Sequence, residues 1–154
     1  MVHNVEKGII WEDGNSQIIF NPVGIDVFNT YLRETNKRVY DEYRDYMVGI
    51  SEKKLIGDIQ LVQISERKLI MNAYVFRKGK RIDLYALTKT LVELYNLATE
   101  YKLNISIPIS MNSRNKDTIS KIKLMLDVIF GDFEQEVYLY KNTPYYTKKN
   151  SYMK

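Results

Sequence analysis

Apolar residues follow two rhythms along this chain, and in its second half the rhythms alternate. Leu69-Ile70-Met71-Asn72-Ala73-Tyr74-Val75-Phe76 is a β-type run. It is followed by Leu84, Leu87, Leu91, Leu94, Ala98 and Tyr101 at the three- and four-residue steps of one helix face. Asn104-Ile105-Ser106-Ile107-Pro108 comes next, then a helical pattern over 118–130 that buries Ile119, Ile122, Leu126 and Ile129, then Val137-Tyr138-Leu139-Tyr140. Strand, helix, strand, helix, strand in that order requires crossover connections, and so predicts a largely parallel sheet covered by helices. The expected class is α/β, a three-layer, mostly parallel mixed sheet flanked by helices.

The first half is less regular. Gly8-Ile9-Ile10-Trp11, a turn at Glu12-Asp13-Gly14-Asn15 and Gln17-Ile18-Ile19-Phe20 read as a hairpin or two neighbouring strands. Asn21-Pro22-Val23-Gly24 breaks the second strand. Phe28, Tyr31, Leu32, Thr35, Val39, Tyr43 and Met47 then predict one helix, with Asp26 placed as its N-cap and Gly49 as its stop. Residues 56–64 alternate apolar and polar, as expected of a strand with one wetter face. Asp117 is the expected N-cap of the last helix.

Composition narrows the partners. At 154 residues the chain is expected to form one domain over 1–141, followed by a Tyr/Lys-rich tail over 142–154. Lys141, Lys148, Lys149 and Lys154 account for the whole formal charge of +4, so the body is neutral and offers no broad face for duplex nucleic acid. The chain has no Cys, which excludes disulfides and thiolate metal sites and suits a reducing cytoplasm. No apolar run approaches the roughly 20 residues of a membrane span. His3 is the single His, set in an N-terminus expected to fray, so neither a transition-metal site nor a His-activated nucleophile is expected. No cofactor is called for.

In a parallel sheet the strand-to-helix loops converge at the carboxyl edge, where ligands dock. Three loops are candidates. The first carries Asn21, Gly24 and Asp26, with Asp26 either capping a helix or touching a ligand. The second, Arg77-Lys78-Gly79-Lys80-Arg81, sets four cations around a glycine; it is a solvated surface loop or a phosphate cradle offering Lys78 and Arg81. The third carries Ser110, Asn112, Ser113, Arg114 and Asn115, polar groups able to meet a ribose or base edge and equally typical of an exposed loop. The tail interleaves Tyr145, Tyr146 and Tyr152 with lysines, a composition shared by disordered segments and by binders of single-stranded nucleic acid.

Lys7-Gly8, Gln17-Ile18-Ile19-Phe20-Asn21-Pro22, Ile56-Gly57-Asp58-Ile59, Asn72-Ala73-Tyr74-Val75 before Asp83-Leu84-Tyr85-Ala86-Leu87, Ile105-Ser106-Ile107-Pro108 and Val137-Tyr138-Leu139-Tyr140 are ordered and spaced as in a macrodomain. The chain resembles the compact branch of that family, which includes ADP-ribosyl hydrolases and ADP-ribose phosphatases. The resemblance spans residues 5–141 and rests mainly on framework strands. It departs from the family at the loops. Ile9 stands where the family has an adenine-recognising Asp, and Met111, Asn112, Ser113 and Arg114 replace glycines around the pyrophosphate. Phe76 and Asn115 stand where the hydrolase branch carries Lys and Asp. Asn is no carboxylate base and Phe no nucleophile.

The resemblance thus implies non-catalytic binding of an ADP-ribose-derived or NAD-derived nucleotide, in a sensing or sequestering protein such as a phage-encoded counter-defence factor. Two alternatives stay open. One is a protein or single-stranded nucleic-acid module acting through the tail. The other is an ADP-ribosyl or phosphoester hydrolase using Asp26, Asp58 or Asp117 to activate water. The expected partner is a nucleotide-like small molecule, with no membrane, and with nucleic acid only through the tail. The pattern specifies no oligomeric state.

Overall fold

A computed structural model describes residues 1–109, 111 and 115–141. The first half of the chain supplies β1 (Val2–Val5), β2 (Ile18–Gly24), α1 (Thr30–Thr35), α2 (Lys37–Met47), α3 (Glu52–Leu55) and β3 (Ile59–Ser65). The second supplies β4 (Lys68–Arg77), β5 (Arg81–Ile82), α4 (Leu84–Tyr101), β6 (Ile105–Pro108), α5 (Lys116–Phe130) and β7 (Val137–Tyr140). The strands join in one sheet of order β1-β7-β6-β2-β4-β3, with β5 paired to the end of β4. β1, β7, β6, β2 and β4 run parallel, whereas β3 and β5 are antiparallel to β4. The expected mostly parallel mixed sheet between helical layers is the observed one.

Alternation along the strands divides the core. Phe20, Met71, Ala73, Ile105 and Ile107 face α4 and α5, where Leu87, Leu91, Leu94, Ile122 and Leu126 close the layer. On the other face Ile19, Val62 and Ile70 pack with Ile10, Trp11, Leu32 and Val39. Val23 and Tyr74 pack with Tyr43 and Leu55 on that same side.

Five expectations from the first half need correction. Asn21-Pro22-Val23-Gly24 does not break the second strand but forms the carboxyl half of β2, buried and paired with β4 from Asn72 to Phe76. Ile10–Glu12 is a short 3-10 turn rather than a strand. Both Ile10 and Trp11 are buried in one cluster, and a strand would send these neighbours to opposite faces. The first strand is instead Val2–Val5, so His3 is not frayed; the segment pairs residue for residue with Val137–Tyr140. The single helix over 28–47 is two helices broken at Asn36, whose side chain accepts a 3.3 Å bond from the Val39 amide and starts α2. Asp26 does not cap α1, because Asn29 does so with a 2.8 Å bond from the Leu32 amide.

One correction falls in the second half. Asn115, not Asp117, caps α5, accepting from the Asp117 and Thr118 amides at 2.9 and 3.2 Å. No helix among the described residues is long and apolar enough to cross a membrane. The tail over 142–154 lies outside the described residues.

Candidate functional site

Because β2, β4 and β6 run parallel, their carboxyl ends share one edge of the sheet. Close approach of two backbones shapes that edge. Gly24, the last residue of β2, lies opposite Phe76, and a Cβ on Gly24 would sit 2.6 Å from the Phe76 carbonyl oxygen. Only a glycine fits there. The chain then folds back, with the Gly24 amide donating 2.9 Å to the Val27 carbonyl. From α2 the Tyr43 hydroxyl donates to the Gly24 carbonyl and fixes the loop from behind. Burial holds the Tyr43 phenol far above its ordinary pKa, so it stays protonated as a donor.

The β4–β5 hairpin forms the next wall. Arg77 donates two bonds of 2.7 Å to Asp83, through Nε and one terminal nitrogen. Asp83 in turn caps α4 through the Ala86 amide at 2.9 Å. Burial would raise the Asp83 carboxyl, but these donors outweigh it and hold the group below the usual carboxylate range. Arg77 is therefore committed to structure. The Lys78 amide donates to Glu52 at 3.1 Å, and the Gly79 amide donates to Asp26 at 3.3 Å. Asp26 thus ties the first loop to the second. Lys80 has a left-handed backbone (φ 65°), and no ion pair is seen for it or Arg81 among the described residues.

Between this hairpin and the start of α5 lies a cavity of about 390 Å³. Phe76, Lys80, Arg81, Ile82, Met111, Asn115 and Thr118 line it. Met111 is fully buried in the α4–α5 core and held at φ 45°, a conformation that favours glycine. At this one position the backbone takes a dihedral that a glycine would allow, while a long apolar side chain is buried in the core. Ionisable groups on this wall are cationic, Lys80 and Arg81; no carboxylate lines it among the described residues.

The residues singled out from the sequence are only partly gathered. Gly24, Asp26, Lys78 and Arg81 stand on the two loops of the shared edge, and Asn115 at the start of α5 lines the cavity beside Arg81. Ser110, Asn112, Ser113 and Arg114 lie outside the described residues. Asn21 is not brought to the surface of the edge. It is fully buried, and its amide donates 2.7 Å to Asn72 Oδ1. Asn72 continues to Gln60 Oε1 at 3.1 Å, which also accepts from the Tyr74 hydroxyl at 3.2 Å. Asn21 therefore starts an interior amide chain. Phe76 and Met111 line the cavity at positions that the macrodomain resemblance places at the ligand, whereas Ile82 and Thr118 carry no sequence signal as lining residues, being indistinguishable from core or helix-start positions.

No protein-family model matches the sequence, and no curated protein matches it. Solved structures are similar in three dimensions. The macrodomain of Thermus aquaticus DarG has a TM-score of 0.67 at 19% identity, over 92% of this chain and 99% of that one. The macrodomain of Mycobacterium tuberculosis DarG has a TM-score of 0.73 at 13% identity, over 93% and 99%. Thermosipho africanus DarTG in complex with ADP-ribose has a TM-score of 0.69 at 11% identity, over 93% of this chain and 43% of that one. Identities this low speak to architecture, and on that ground this chain has the macrodomain fold.

Proposed function

We propose that the protein binds an ADP-ribose-type nucleotide at the carboxyl edge of its sheet and does not hydrolyse it. The observation that supports this most directly is the shared edge itself. β2, β4 and β6 end side by side, and the cavity beside them presents two cations and no carboxylate among the described residues. Lys80 and Arg81 suit a pyrophosphate, Arg through its planar fork and Lys as a point charge. Asn115 and Thr118 add polar side chains to the same wall, the kind of neighbour a ribose hydroxyl requires. A solved structure of the same fold, Thermosipho africanus DarTG, carries ADP-ribose.

Chemistry supports binding without hydrolysis. Water attack on a glycosidic carbon needs a base, and a phosphoester needs a base or a metal. Phe76, next to the end of β4, is a buried hydrocarbon, and the Asn115 amide oxygen already accepts two backbone bonds. Asp58 accepts from the Tyr46 hydroxyl at 3.1 Å, away from the cavity. A protein of this kind would sequester or sense its ligand.

Calorimetry and thermal denaturation with ADP-ribose, cyclic ADP-ribose and NAD test the reading. Saturable heat is expected for at least one, with Tm raised by about 5–10 °C at a hundredfold excess over Kd. R81Q should weaken it about tenfold. No heat and no thermal shift with any of them rejects the proposal. Turnover of ADP-ribosylated protein above background would put a hydrolase in its place.

A further inference from the structure

A second, larger cavity of about 500 Å³ lies between the 25–27 loop, α1 and α2. Its volume falls in the range of small-ligand sites, roughly 300–1,000 Å³. Arg33 from α1, Arg44 from α2 and Lys80 from the hairpin line it, opposed by one carboxylate, Asp26. Tyr40 and Tyr43 supply aromatic walls. We propose that this cavity is a binding site for a small phosphoanion, separate from the nucleotide cleft proposed above.

Three features carry the inference. The first is charge. Asp26 already accepts from the Gly79 amide, and no ion pair is seen for Arg33 or Lys80 among the described residues. Arg44 meets Asp41 only at 3.7 Å, an exposed pair with both side chains well hydrated. Lining charges sum to an excess of cation that a phosphate, at about −1.5 to −2, would neutralise.

The second feature is preorganisation. The guanidinium carbons of Arg33 and Arg44 lie 5.6 and 5.7 Å from the centroid of the same ring, Tyr40. Cation–π attraction restrains each of these rotamer-rich side chains against the Tyr40 ring before any ligand arrives, which lowers the entropy lost on binding. Arg forks match phosphate oxygens in pairs, so a cavity lined by two of them favours phosphate over a monovalent anion.

The third feature is placement. Residues from α1, α2 and the hairpin converge here although they are distant in sequence, and Tyr43, which fixes the Gly24 carbonyl, forms part of the wall. Lys80 lines this cavity and the 390 Å³ one alike, so the two sites share a single ammonium.

The test is calorimetry at low salt with inorganic pyrophosphate, with uridine 5′-monophosphate and with uridine. Both phosphates should bind saturably and uridine should not. Comparable affinities would indicate recognition of phosphate alone, and a tighter mononucleotide would show that the tyrosines contact the base; both outcomes support the site. Measured in an R81Q background, where pyrophosphate held at the cleft is already weakened, R33Q/R44Q should weaken pyrophosphate at least tenfold further, while K53Q/K54Q, which removes the same charge from α3, should change it less than twofold. Circular dichroism establishes that each variant is folded. ADP-ribose affinity should survive R33Q/R44Q and fall in R81Q, so failure of the cleft reading and failure of this one are told apart. Equal weakening by the two double variants would reduce the effect to net charge and overturn the proposal. So would unchanged pyrophosphate binding in R33Q/R44Q, or binding confined to single-stranded oligonucleotides.

Discussion

Replacing Gly24 with alanine tests the physical basis of the shared edge. The added Cβ would lie 2.6 Å from the Phe76 carbonyl oxygen and 2.7 Å from the Phe76 Cβ. Neither atom is the free end of a flexible side chain, so β2 and β4 must move apart at their carboxyl ends. Overpacking of this kind costs about 1–3 kcal/mol. A domain of this length loses roughly 2–4 °C of Tm per kcal/mol, so a fall of about 2–12 °C is expected. The displacement also pulls on the Tyr43 bond to the Gly24 carbonyl and on the Gly24–Val27 bridge, so the amides of the 24–27 turn should exchange faster with solvent. G14A is the control: a Cβ at Gly14 meets nothing within 4 Å, and its Tm should change by less than about 2 °C. The reasoning fails if G24A melts with the wild type and its turn amides exchange at the wild-type rate, because the two backbones then have room that the geometry denies them.

Acid stability should report on Asp13. Burial raises its carboxyl, but bonds from the Tyr140 hydroxyl and the Asn15 and Ser16 amides outweigh burial and lower it overall. The native state therefore binds this proton less readily than the unfolded chain, and the stability it contributes is present above about pH 4 and is lost as pH falls through the native value. Urea denaturation between pH 2.5 and 7 should show D13N about 1.5–3 kcal/mol less stable near neutrality and converging on the wild type in acid; parallel curves would refute it. D83A removes the cap of α4 and the partner of Arg77, and should cost about 1–2 kcal/mol with an unchanged urea m-value. N21D exchanges a buried donor for an acceptor facing Asn72 Oδ1, and should cost about 2 kcal/mol or more in the same assay; a neutral effect would show that the amide chain does not stabilise the fold.

The fold was most legible where one rhythm persisted. The stripe from Leu84 to Tyr101 is long enough for periodicity to settle a helix, and α4 occupies those very bounds. β4, β6 and β7 were readable because central parallel strands are apolar on both faces. β1 was hidden for the opposite reason. Val2-His3-Asn4-Val5 alternates between exposed and half-buried positions at the edge of the sheet, and the hydrogen bonds that make it a strand come from β7, 133 or more residues away. Ile10 and Trp11 misled because consecutive apolar residues fit a strand as well as a buried turn. Asn36 sat inside an unbroken stripe, so only the observed Asn36–Val39 bond separates α1 from α2.

The site divides along the same line. Which loops meet at the sheet edge follows from strand order, and strand order follows from apolar runs. What those loops can hold depends on single dihedral angles and on neighbours far away in sequence. Lys80 faces two cavities because the hairpin turns through left-handed residues at Gly79 and Lys80, and a string of cations with one glycine does not say which of them takes that turn. Met111 adopts a dihedral expected of a glycine while burying a long apolar side chain, so the residue type alone does not reveal the backbone conformation at that position. Tyr40, Tyr43 and Arg44 recur on α2 at three- and four-residue steps, a spacing that serves core packing and cavity lining equally. A helix that buries Tyr43 against the sheet must turn its neighbours toward the loop, and their proximity to Arg33 exists only once α1 has been broken from α2. The chemistry at this edge is therefore set by the kink at Asn36 as much as by the residues that carry charge.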